Sequence, residues 1–480
     1  MNLIGDKWIP VLMKSGAFAA VGLSDVFRDG GSIADLSANP CQRIALMRLL
    51  ICIAQAALKG PTDEADWEAC RPRIADASLC YLDRWKDRFG LFGGHAFLQA
   101  DGLAETCNAV RDKLDFALSS GNKHTLFDHG ATPDGRLLES ARQALNLLVY
   151  QMLSPGGLIG NSDWNGKETG RSSEHAPCIE GSMLHTFIRG DNLLETVHCN
   201  LLCRDAVEAM PNFTWGTPCW EIPMTADAEA LGNQPNTYLG RLVPVSRAIR
   251  LAPTTSKVTL ANGLSYPKLP ENRDPFGTVR KIDDKKGEIY SYLPVNPEKH
   301  PWRELASILT LHQADMQGGA MALSHLRGLE KGKPFDIWTG GLCAEKSKLI
   351  DMAEWVFSLN TDLLDETVLG TYQKGVSAAN SGNGCLREAI RAYAETLKSE
   401  PAVWRDTAQR MYWAALDAKA RCLTECVADG EDLSRWHREI LSVLQDTYTR
   451  VCPHETPRQM QAYVKGEAIV NSWKWKTDKS

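Results

Sequence analysis

Apolar and polar residues follow two different patterns along this chain, and the pattern changes at about residue 350. The first part mixes short apolar runs, which predict strands, with longer stretches of helical period. Beyond residue 348 proline is almost absent until Pro401, and helical periodicity dominates. We therefore predict an α+β protein, with a mixed domain of short strands and helices over residues 1–350 and a C-terminal four-helix bundle over residues 351–480. The helices predicted after the change span 348–360, 385–398, 402–428, 431–451 and 457–470.

The clearest element of the first domain is a helix that begins after Asn39-Pro40 and runs to Leu58. An Asn before proline in the first turn predicts the start, and Gly60-Pro61 predicts the stop. The helix is apolar almost all round, which indicates a core helix. Further helices are predicted at 63–89, 139–154, 192–209 and 303–317. Strands are predicted at 257–260, 278–282 and 289–293, and a strand followed by a turn over 186–191.

The stretch Pro334–Lys348, PFDIWTGGLCAEKSK, places Gly340 and Gly341 directly after an apolar run. This order is typical of a strand that ends in a turn. Glycine there also allows the backbone to approach another molecule closely. The residues by themselves favour an ordinary surface turn with solvated lysines, followed by a helix from about Leu349.

Residues 90–136 are irregular, and the polar loop GNKHTLFDHGATPDG within them, at 121–135, holds one aromatic residue, Phe127, between His124 and His129. Loops of this length without secondary structure are usually functional or disordered. Phe127 is suited to stack on a base or to fill a pocket of a partner, and it is equally suited to anchor the loop in the protein's own core. The residues leave these alternatives open.

A glycine-rich segment over 155–173 contains Lys167 directly after Gly166. It lacks the G-x-x-x-x-G-K-[ST] spacing, because five residues separate Gly160 from Gly166 and Glu168 follows the lysine. A loop that cradles the phosphates of a nucleotide is therefore excluded. What remains is a segment able to approach a backbone closely, or simply mobile.

The distribution of charge along the chain points to one candidate nucleic-acid contact, at residues 250–290. The 480 residues carry a net charge of −6, which is not typical of a protein that coats nucleic acid alone. Residues 250–290, however, hold eight Lys and Arg against five acidic residues. Such a strip suits a subunit that touches nucleic acid at one site. No apolar run approaches the roughly 20 residues of a membrane span, and the N-terminus lacks a signal-peptide pattern, so we expect a cytoplasmic protein with no membrane partner.

Two groups of residues are the candidates for catalysis, although the common hydrolase, zinc-enzyme and dinucleotide motifs are absent. His124, Asp128 and His129 share the polar loop, and Asp283 and Asp284 share a lysine-rich turn. A metal-dependent nuclease or another hydrolase using these groups is the alternative function. The aspartate pair is better explained as charge balance, and we expect a non-catalytic protein without a cofactor.

The fourteen cysteines do not indicate a metal site. They include no Cys-x-x-Cys pair, and His198, Cys199 and Cys203 would supply only part of a zinc site. We therefore expect small buried thiols and no metal.

In their order along the chain, several of these stretches resemble the CasA family, the large subunit of the type I-E CRISPR Cascade complex. The opening MNLIGDKWIPV is similar to the family's N-L-x-x-D-x-W-I-P-V. The resemblance covers residues 1–350 as landmarks, and the helical C-terminal third agrees in architecture. The further landmarks are LLICIAQ at 49–55, the Phe127 loop, PGGLIG at 155–160, TFIRGD at 186–191, NGL at 262–264, TVRK at 278–281 and the glycine pair at 340–341.

The resemblance implies a non-catalytic subunit of an RNA-guided complex. Such a subunit recognises the PAM of duplex DNA from the minor groove, wedges open the first base pairs to start the R-loop, and recruits a separate helicase–nuclease. The guide RNA reads the remaining sequence by pairing. The implied partners are the crRNA-containing backbone, handle-binding and small subunits, the PAM-containing target duplex and the helicase–nuclease.

The resemblance also implies roles for particular residues. The loop that contacts the guide handle matches Phe127, Asp128 and His129. The remaining assignments concern DNA: the PAM-side glycine loop matches Gly157 and Gly160, the minor-groove lysine matches Lys257, a basic pair matches Arg280 and Lys281, and the wedge after Gly340 and Gly341 matches Ala344, Glu345, Lys346 and Ser347.

This chain departs from the family pattern at two places. The family's wedge is commonly rich in Asn and Gln, whereas here the tip carries Glu345 and Lys346. Because phosphate repels an anion, the charge of Glu345 bears on which PAMs are accepted. Some members also carry a cysteine cluster before the lysine, but residues 240–256 contain no cysteine, so the resemblance implies no zinc here.

Overall fold

The computed structural model describes two compact units, each with its own set of elements. The first comprises Met1–Lys299, Ser307–Gly328 and Phe335–Ser358, and the second comprises His300–Ala306, Leu329–Pro334 and Leu359–Ser480. The predicted α+β class is confirmed, because short sheets accompany helices in the first unit and helices dominate the second. The functional division at residue 350 stays a prediction. The structure describes residues 1–119, 128, 134–210, 212–222, 237–284, 287–310, 318–328, 331–345 and 347–475.

The elements of the described residues are short, apart from one core helix, one hairpin and the C-terminal helices. The strands are β1 (Ile9–Met13), β2 (Phe18–Val21), β3 (Ile33–Leu36), β4 (Ala109–Val110), β5 (Asp163–Trp164), β6 (Lys167–Glu168), β7 (His185–Arg189), β8 (Arg247–Leu251), β9 (Lys257–Asn262), β10 (Val279–Asp284), β11 (Gly287–Tyr292), β12 (Pro334–Glu345) and β13 (Lys348–Asn360). The helices are α1 (Leu23–Asp29), α2 (Pro40–Leu58), α3 (Glu64–Cys70), α4 (Ile74–Arg84), α5 (Ser140–Leu153), α6 (Leu193–Cys199), α7 (Arg204–Glu208), α8 (Tyr238–Leu242), α9 (Leu305–Leu309), α10 (Glu366–Leu397), α11 (Ala402–Asp417), α12 (Ala420–Ala428), α13 (Ser434–Val451) and α14 (Pro457–Ser472).

Helix α2 is the core helix that the sequence predicts. Asn39 caps it, since its side chain accepts from the backbone N–H of Gln42 at 3.0 Å and the Gln42 side chain accepts from Asn39 N–H at 3.3 Å. Among the described residues it is the one helix long and apolar enough to span a bilayer, but 72% of its apolar window is buried inside the protein. It also carries Arg48, which forms a 2.8 Å ion pair with buried Asp274. Arg48 holds the pKa of Asp274 below its usual value although burial opposes ionisation.

The first unit also contains three small sheets, in the strand orders β2-β1-β3, β4-β9-β8 and β13-β12-β7. Two further sheets have two strands each, β5-β6 and β10-β11. The antiparallel β7–β12 pairing sets Trp338 opposite Phe187 and Gly340 opposite His185. This register fixes where the long hairpin of β12 and β13 leaves the core.

The hairpin corrects two predictions for 334–360. Strand β12 runs straight through Gly340 and Gly341 to Glu345, and residues 348–360 form β13 instead of a helix. Close packing leaves no room for a side chain at either glycine. A Cβ on Gly340 would overlap the Trp338 ring and the Ala353 carbonyl, and one on Gly341 would overlap Val295. The exposure of 354–359 alternates along β13, as expected for a strand paired with β12.

The second unit is a helical bundle, as predicted, in which α10 packs against α11, α12, α13 and α14. The predicted helix 402–428 is interrupted at 418–419, and the predicted helix 385–398 is the end of α10. The first half of α10 was missed because its glycines lower helix propensity. Gly375 and Gly382 lie where a Cβ would overlap Leu423 and Tyr412, so close helix packing requires them.

Candidate nucleic-acid interface

The base of the β12–β13 hairpin is held by a buried tryptophan. Trp338 is 2% exposed and its ring centroid lies 5.7 Å from that of Phe187. Its indole N–H donates to Glu354 Oε2 of β13 at 2.6 Å. The guanidinium of Arg43 lies over the same ring, 5.7 Å from its centroid. These contacts tie both strands to the core, and a close-packed base gives the exposed tip a fixed position.

The tip itself is fastened at Ala344. The Ala344 N–H donates to Ser182 Oγ at 3.0 Å, and the Ser182 hydroxyl donates back to Ala344 O at 3.2 Å. Ser182 has a φ of +54°, a conformation that non-glycine residues rarely adopt. Beyond Ala344 the side chains of Glu345 and Ser347 are exposed, and Lys346 lies outside the described residues. No sequence pattern marks Ser182, because a lone serine in a turn is ordinary.

The glycine loop faces this tip. A Cβ placed on Gly157 would lie 3.6 Å from Ser347 Cβ, and Gly157 has a φ of +149°, where glycine is favoured. Within the loop, Ile159 pairs with Ser172 through backbone hydrogen bonds of 2.8 and 3.3 Å, which stabilise its conformation. Nothing lies within 4 Å of a Cβ on Gly160. The structure therefore brings together two of the predicted DNA-contacting elements.

A cavity of about 550 Å³ opens between the glycine loop, the start of β13 and strand β4. In the β4–β9 pairing, Val110 on its wall stands opposite Lys257. Lys257 itself does not line the cavity, and its amine lies 3.7 Å from the exposed carboxylate of Asp134. The residues that line the cavity are Asn108, Ala109, Val110, Lys113, Phe116, Tyr150, Pro155, Gly156, Gly157, Leu158, Ile159, Ser347 and Leu349.

One lining residue, Lys113, was not identified from the sequence. Burial lowers the pKa of its amine, and the charge of Arg247 adds to the effect. An anion in the cavity would counter both contributions. No sequence motif marks this lysine, since its position depends on the short turn that follows β4.

Arg280 and Lys281 lie on the separate β10–β11 hairpin and do not line the cavity. Arg280 stands opposite Ser291 and Lys281 opposite Tyr290. Lys281 is exposed, whereas Arg280 is half-buried and its Nε has no hydrogen-bond partner among the described residues. The predicted basic pair is thus not part of the loop-and-tip arrangement.

Of the predicted guide-handle residues, Phe127 and His129 lie outside the described residues, and Asp128 lies inside them. The Asp128 carboxylate accepts from the Arg136 guanidinium at 2.6 and 3.0 Å and from Ser119 N–H at 2.7 Å. Arg136 is held in turn by buried Asp112, 2.9 Å from its Nε. Asp128 is therefore joined by hydrogen bonds to Ser119, which precedes it in the chain, and to Arg136, which follows it.

The residues of the alternative hydrolase are not brought together in the described part of the chain. His124 and His129 lie outside it, and the Asp128 carboxylate is already engaged by Arg136 and Ser119. Asp283 and Asp284 lie on β10, and their side chains are outside the description.

The partial zinc set considered from the sequence is also dispersed. His198 Nε2 contacts the Trp67 carbonyl at 2.8 Å, and Cys203 instead lies close to Glu64 and His325. That second grouping is a set of possible metal ligands that sequence spacing does not reveal.

Comparison with known proteins gives one consistent family. The family model described as CRISPR-associated protein Cse1 matches residues 2–447. The protein CasA/Cse1 of Thermus thermophilus is 27% identical over an alignment 504 positions long, which covers 97% of this chain and 95% of that protein. The crystal structure of Thermobifida fusca Cse1 matches with a TM-score of 0.83 at 20% identity, covering 98% and 97% of the two chains. A chain of a CRISPR RNA-guided surveillance complex matches with a TM-score of 0.76 at 18% identity, covering 98% and 99%.

Proposed function

This chain belongs to the CRISPR-associated Cse1 family, and on that premise we propose that it is the non-catalytic large subunit of a type I-E CRISPR RNA-guided surveillance complex in the cytoplasm. It recognises the PAM of duplex DNA from the minor groove and wedges open the first base pairs. Guide RNA held by the other subunits then pairs with the target strand. The bound complex recruits a separate helicase–nuclease, which cuts the DNA.

The observation that supports this proposal is the juxtaposition of Gly157 with Ser347. A glycine backbone without side chains is able to enter the minor groove, whose pattern of donors and acceptors separates mainly A·T from G·C. A hairpin tip held next to the glycine loop would lie at the first base pair beside the PAM. Unstacking a base step costs a few kcal/mol, so the wedge must be supported by a rigid base. Trp338 and Ser182 supply such support.

Lys257 contributes a positive charge for binding DNA near the glycine loop. Its partner Asp134 is almost fully exposed, and exposed ion pairs are worth about 0–1 kcal/mol. A DNA phosphate or groove acceptor therefore displaces Asp134 at little cost. Arg280 and Lys281 hold the duplex at a second point, and the Phe127 loop seats the subunit on the guide handle. Glu345 restricts the accepted PAMs by repelling phosphate.

The test uses the complex assembled with guide RNA and the other subunits. Lys257→Ala and Lys346→Ala are expected to weaken binding of a PAM-containing duplex at least about tenfold, with no change in the melting temperature of the chain. Lys14→Ala, at an exposed turn of the first sheet, is the control. Unchanged duplex binding by both variants would overturn the site assignment.

A further assay separates recognition from cutting. The purified chain and the assembled complex are incubated with target duplex and Mg²⁺, Mn²⁺ or Zn²⁺ in the absence of the helicase–nuclease. We expect no cleavage. Metal-dependent cleavage that persists after repurification of the chain would instead support the hydrolase alternative.

A further inference from the structure

Three side chains of different chemistry meet on the first unit, away from the cavity beside the glycine loop. Glu64, Cys203 and His325 present ligand atoms that all lie within 4.8 Å of one another. His325 Nδ1 is 3.0 Å from Glu64 Oε2, and Cys203 Sγ is 3.7 Å from Glu64 Oε1. Glu64 opens α3, Cys203 precedes α7, and His325 lies in the 3-10 segment Met321–Gly328. Three distant parts of the chain therefore converge on one point.

The histidine is held in a defined orientation. The Trp67 ring lies between His198 and His325, stacked on each with ring centroids 4.4 Å apart. His325 Nε2 contacts the carbonyl of Leu201, so this nitrogen carries the proton and donates. Metal-binding histidines commonly donate their second ring N–H to a backbone carbonyl in this way. The arrangement leaves Nδ1 as the coordinating atom.

The other two ligands are held relative to each other by the backbone. Arg204 N–H donates to Pro61 O at 2.8 Å, and Asp205 N–H donates to Thr62 O at 3.1 Å. These bonds join the turn before Glu64 to the turn that carries Cys203. Cys203 and His325 are buried, whereas Glu64 is exposed, so the cluster is open to solvent on one side.

We propose that Glu64, Cys203 and His325 form a zinc-binding site. Thiolate, imidazole and carboxylate are the ligands that Zn²⁺ accepts, and a water on the exposed side completes a tetrahedron. On binding, the Cys203 thiol releases its proton to solvent, and the proton of the hydrogen bond between His325 Nδ1 and Glu64 Oε2 leaves as well. The ion joins α3, the turn before α7 and the 321–328 segment, and so acts as a structural clip.

The charges around the cysteine agree with a cation at this point. The Glu64 carboxylate lies 3.7 Å from the Cys203 sulfur, and the charges of Asp63 and Asp205 also act on this thiol. Carboxylates that oppose a thiolate favour a dication, which in turn stabilises the thiolate. Without a metal, the same atoms hold one another through the His325–Glu64 and Cys203–Glu64 hydrogen bonds.

The test is metal retention by the purified full-length chain. The chain is stripped with chelator, mixed with Zn²⁺, dialysed, and its metal content measured by mass spectrometry. We expect about one zinc per chain. Loading with Co²⁺ is expected to give a thiolate-to-metal charge-transfer band. Zinc below a tenth of an equivalent, or a Co²⁺ spectrum without that band, would overturn the proposal.

Matched variants identify the ligands. Cys203→Ser and His325→Gln are expected to weaken zinc binding at least about tenfold and to remove the charge-transfer band or shift it. Cys199→Ser, which alters the neighbouring cysteine, is expected to retain it. Circular dichroism of each metal-free variant checks folding. Equal zinc retention by folded Cys203→Ser and Cys199→Ser chains would contradict the assignment.

Discussion

Two hairpins of the first unit were both predicted to touch DNA, and they differ in what their surroundings supply. The β12–β13 hairpin has a buried base, a tip fastened by Ser182 and a glycine loop facing Ser347. The β10–β11 hairpin presents an exposed lysine and a half-buried arginine, away from that loop. We infer that the first contributes position and the second contributes charge. Substitutions in the two hairpins should therefore affect different steps.

The largest effect is expected from Trp338→Ala. Removing a buried tryptophan costs about 3–5 kcal/mol, and here it also leaves the Glu354 carboxylate without its indole donor. Urea denaturation of the purified chain measures the change. Val356→Ala, at a half-exposed position of the partner strand, should cost much less. Equal losses in the two variants would show that the hairpin base is not rigidly supported.

A pH effect is expected next, in the turn that carries Ser182. Burial raises the pKa of Glu180 to about 7, so the folded state binds this proton more tightly than the unfolded state. Its contribution to the free energy of unfolding therefore falls as pH rises from about 4.5 to 7, by up to about 3 kcal/mol. Glu180→Gln keeps the acceptor for Leu269 N–H and should gain stability relative to the native chain over this interval.

Denaturation at pH 5 and pH 8 measures that gain. The comparison with the native chain cancels the opposite contribution of His185, whose pKa burial lowers to about 4. Exposed Glu400→Gln serves as the control and should show no pH-dependent difference. A constant difference between Glu180→Gln and the native chain across pH would refute the prediction.

The charge contribution is tested by Arg280→Ala combined with Lys281→Ala. Two lost phosphate contacts should weaken duplex binding by the assembled complex about tenfold or more, and should reduce the salt slope by about two. Base-pair opening within the bound complex should be unchanged. An unaltered salt dependence would remove this hairpin from the DNA path.

The smallest effect on stability is expected from Ser182→Ala. The substitution removes both hydrogen bonds to Ala344, at about 1 kcal/mol each or less. Thermal unfolding should change little, whereas opening of the first base pair should slow because the tip is no longer fastened. If opening is as fast as in the native complex, Ser182 has no positioning role.

The sequence predicts best those elements whose conformation is determined by residues close together in the chain. Asn39, Pro40 and the apolar run after them determine α2, and the glycine-rich loop is recognisable from its spacing. The path of β12 was mispredicted, because Gly340 and Gly341 serve close packing against Trp338 and Val295, and that packing is a tertiary property. The helix predicted at 348–360 failed similarly, since pairing with β12 decides its conformation.

The residues of the candidate site also fall into those that the sequence identifies and those that only the structure reveals. Gly157 and the tip residues were identified through resemblance to a family, and the structure adds their contact. Ser182 and Lys113 had no motif, because each acquires its role from an unrelated segment packed beside it. The Glu64, Cys203 and His325 cluster was missed for the same reason, as its histidine and glutamate are 261 positions apart.

The central claim is that the β12–β13 tip opens the duplex while the glycine loop reads it. The most direct measurement uses the assembled complex and a fluorescent adenine analogue in the first base pair beside the PAM. Replacing Glu345, Lys346 and Ser347 by glycine should slow the fluorescence rise at least about tenfold when the variant and native complexes are compared at DNA concentrations that give the same occupancy. A rise as fast as that of the native complex, at equal DNA occupancy, would contradict the claim.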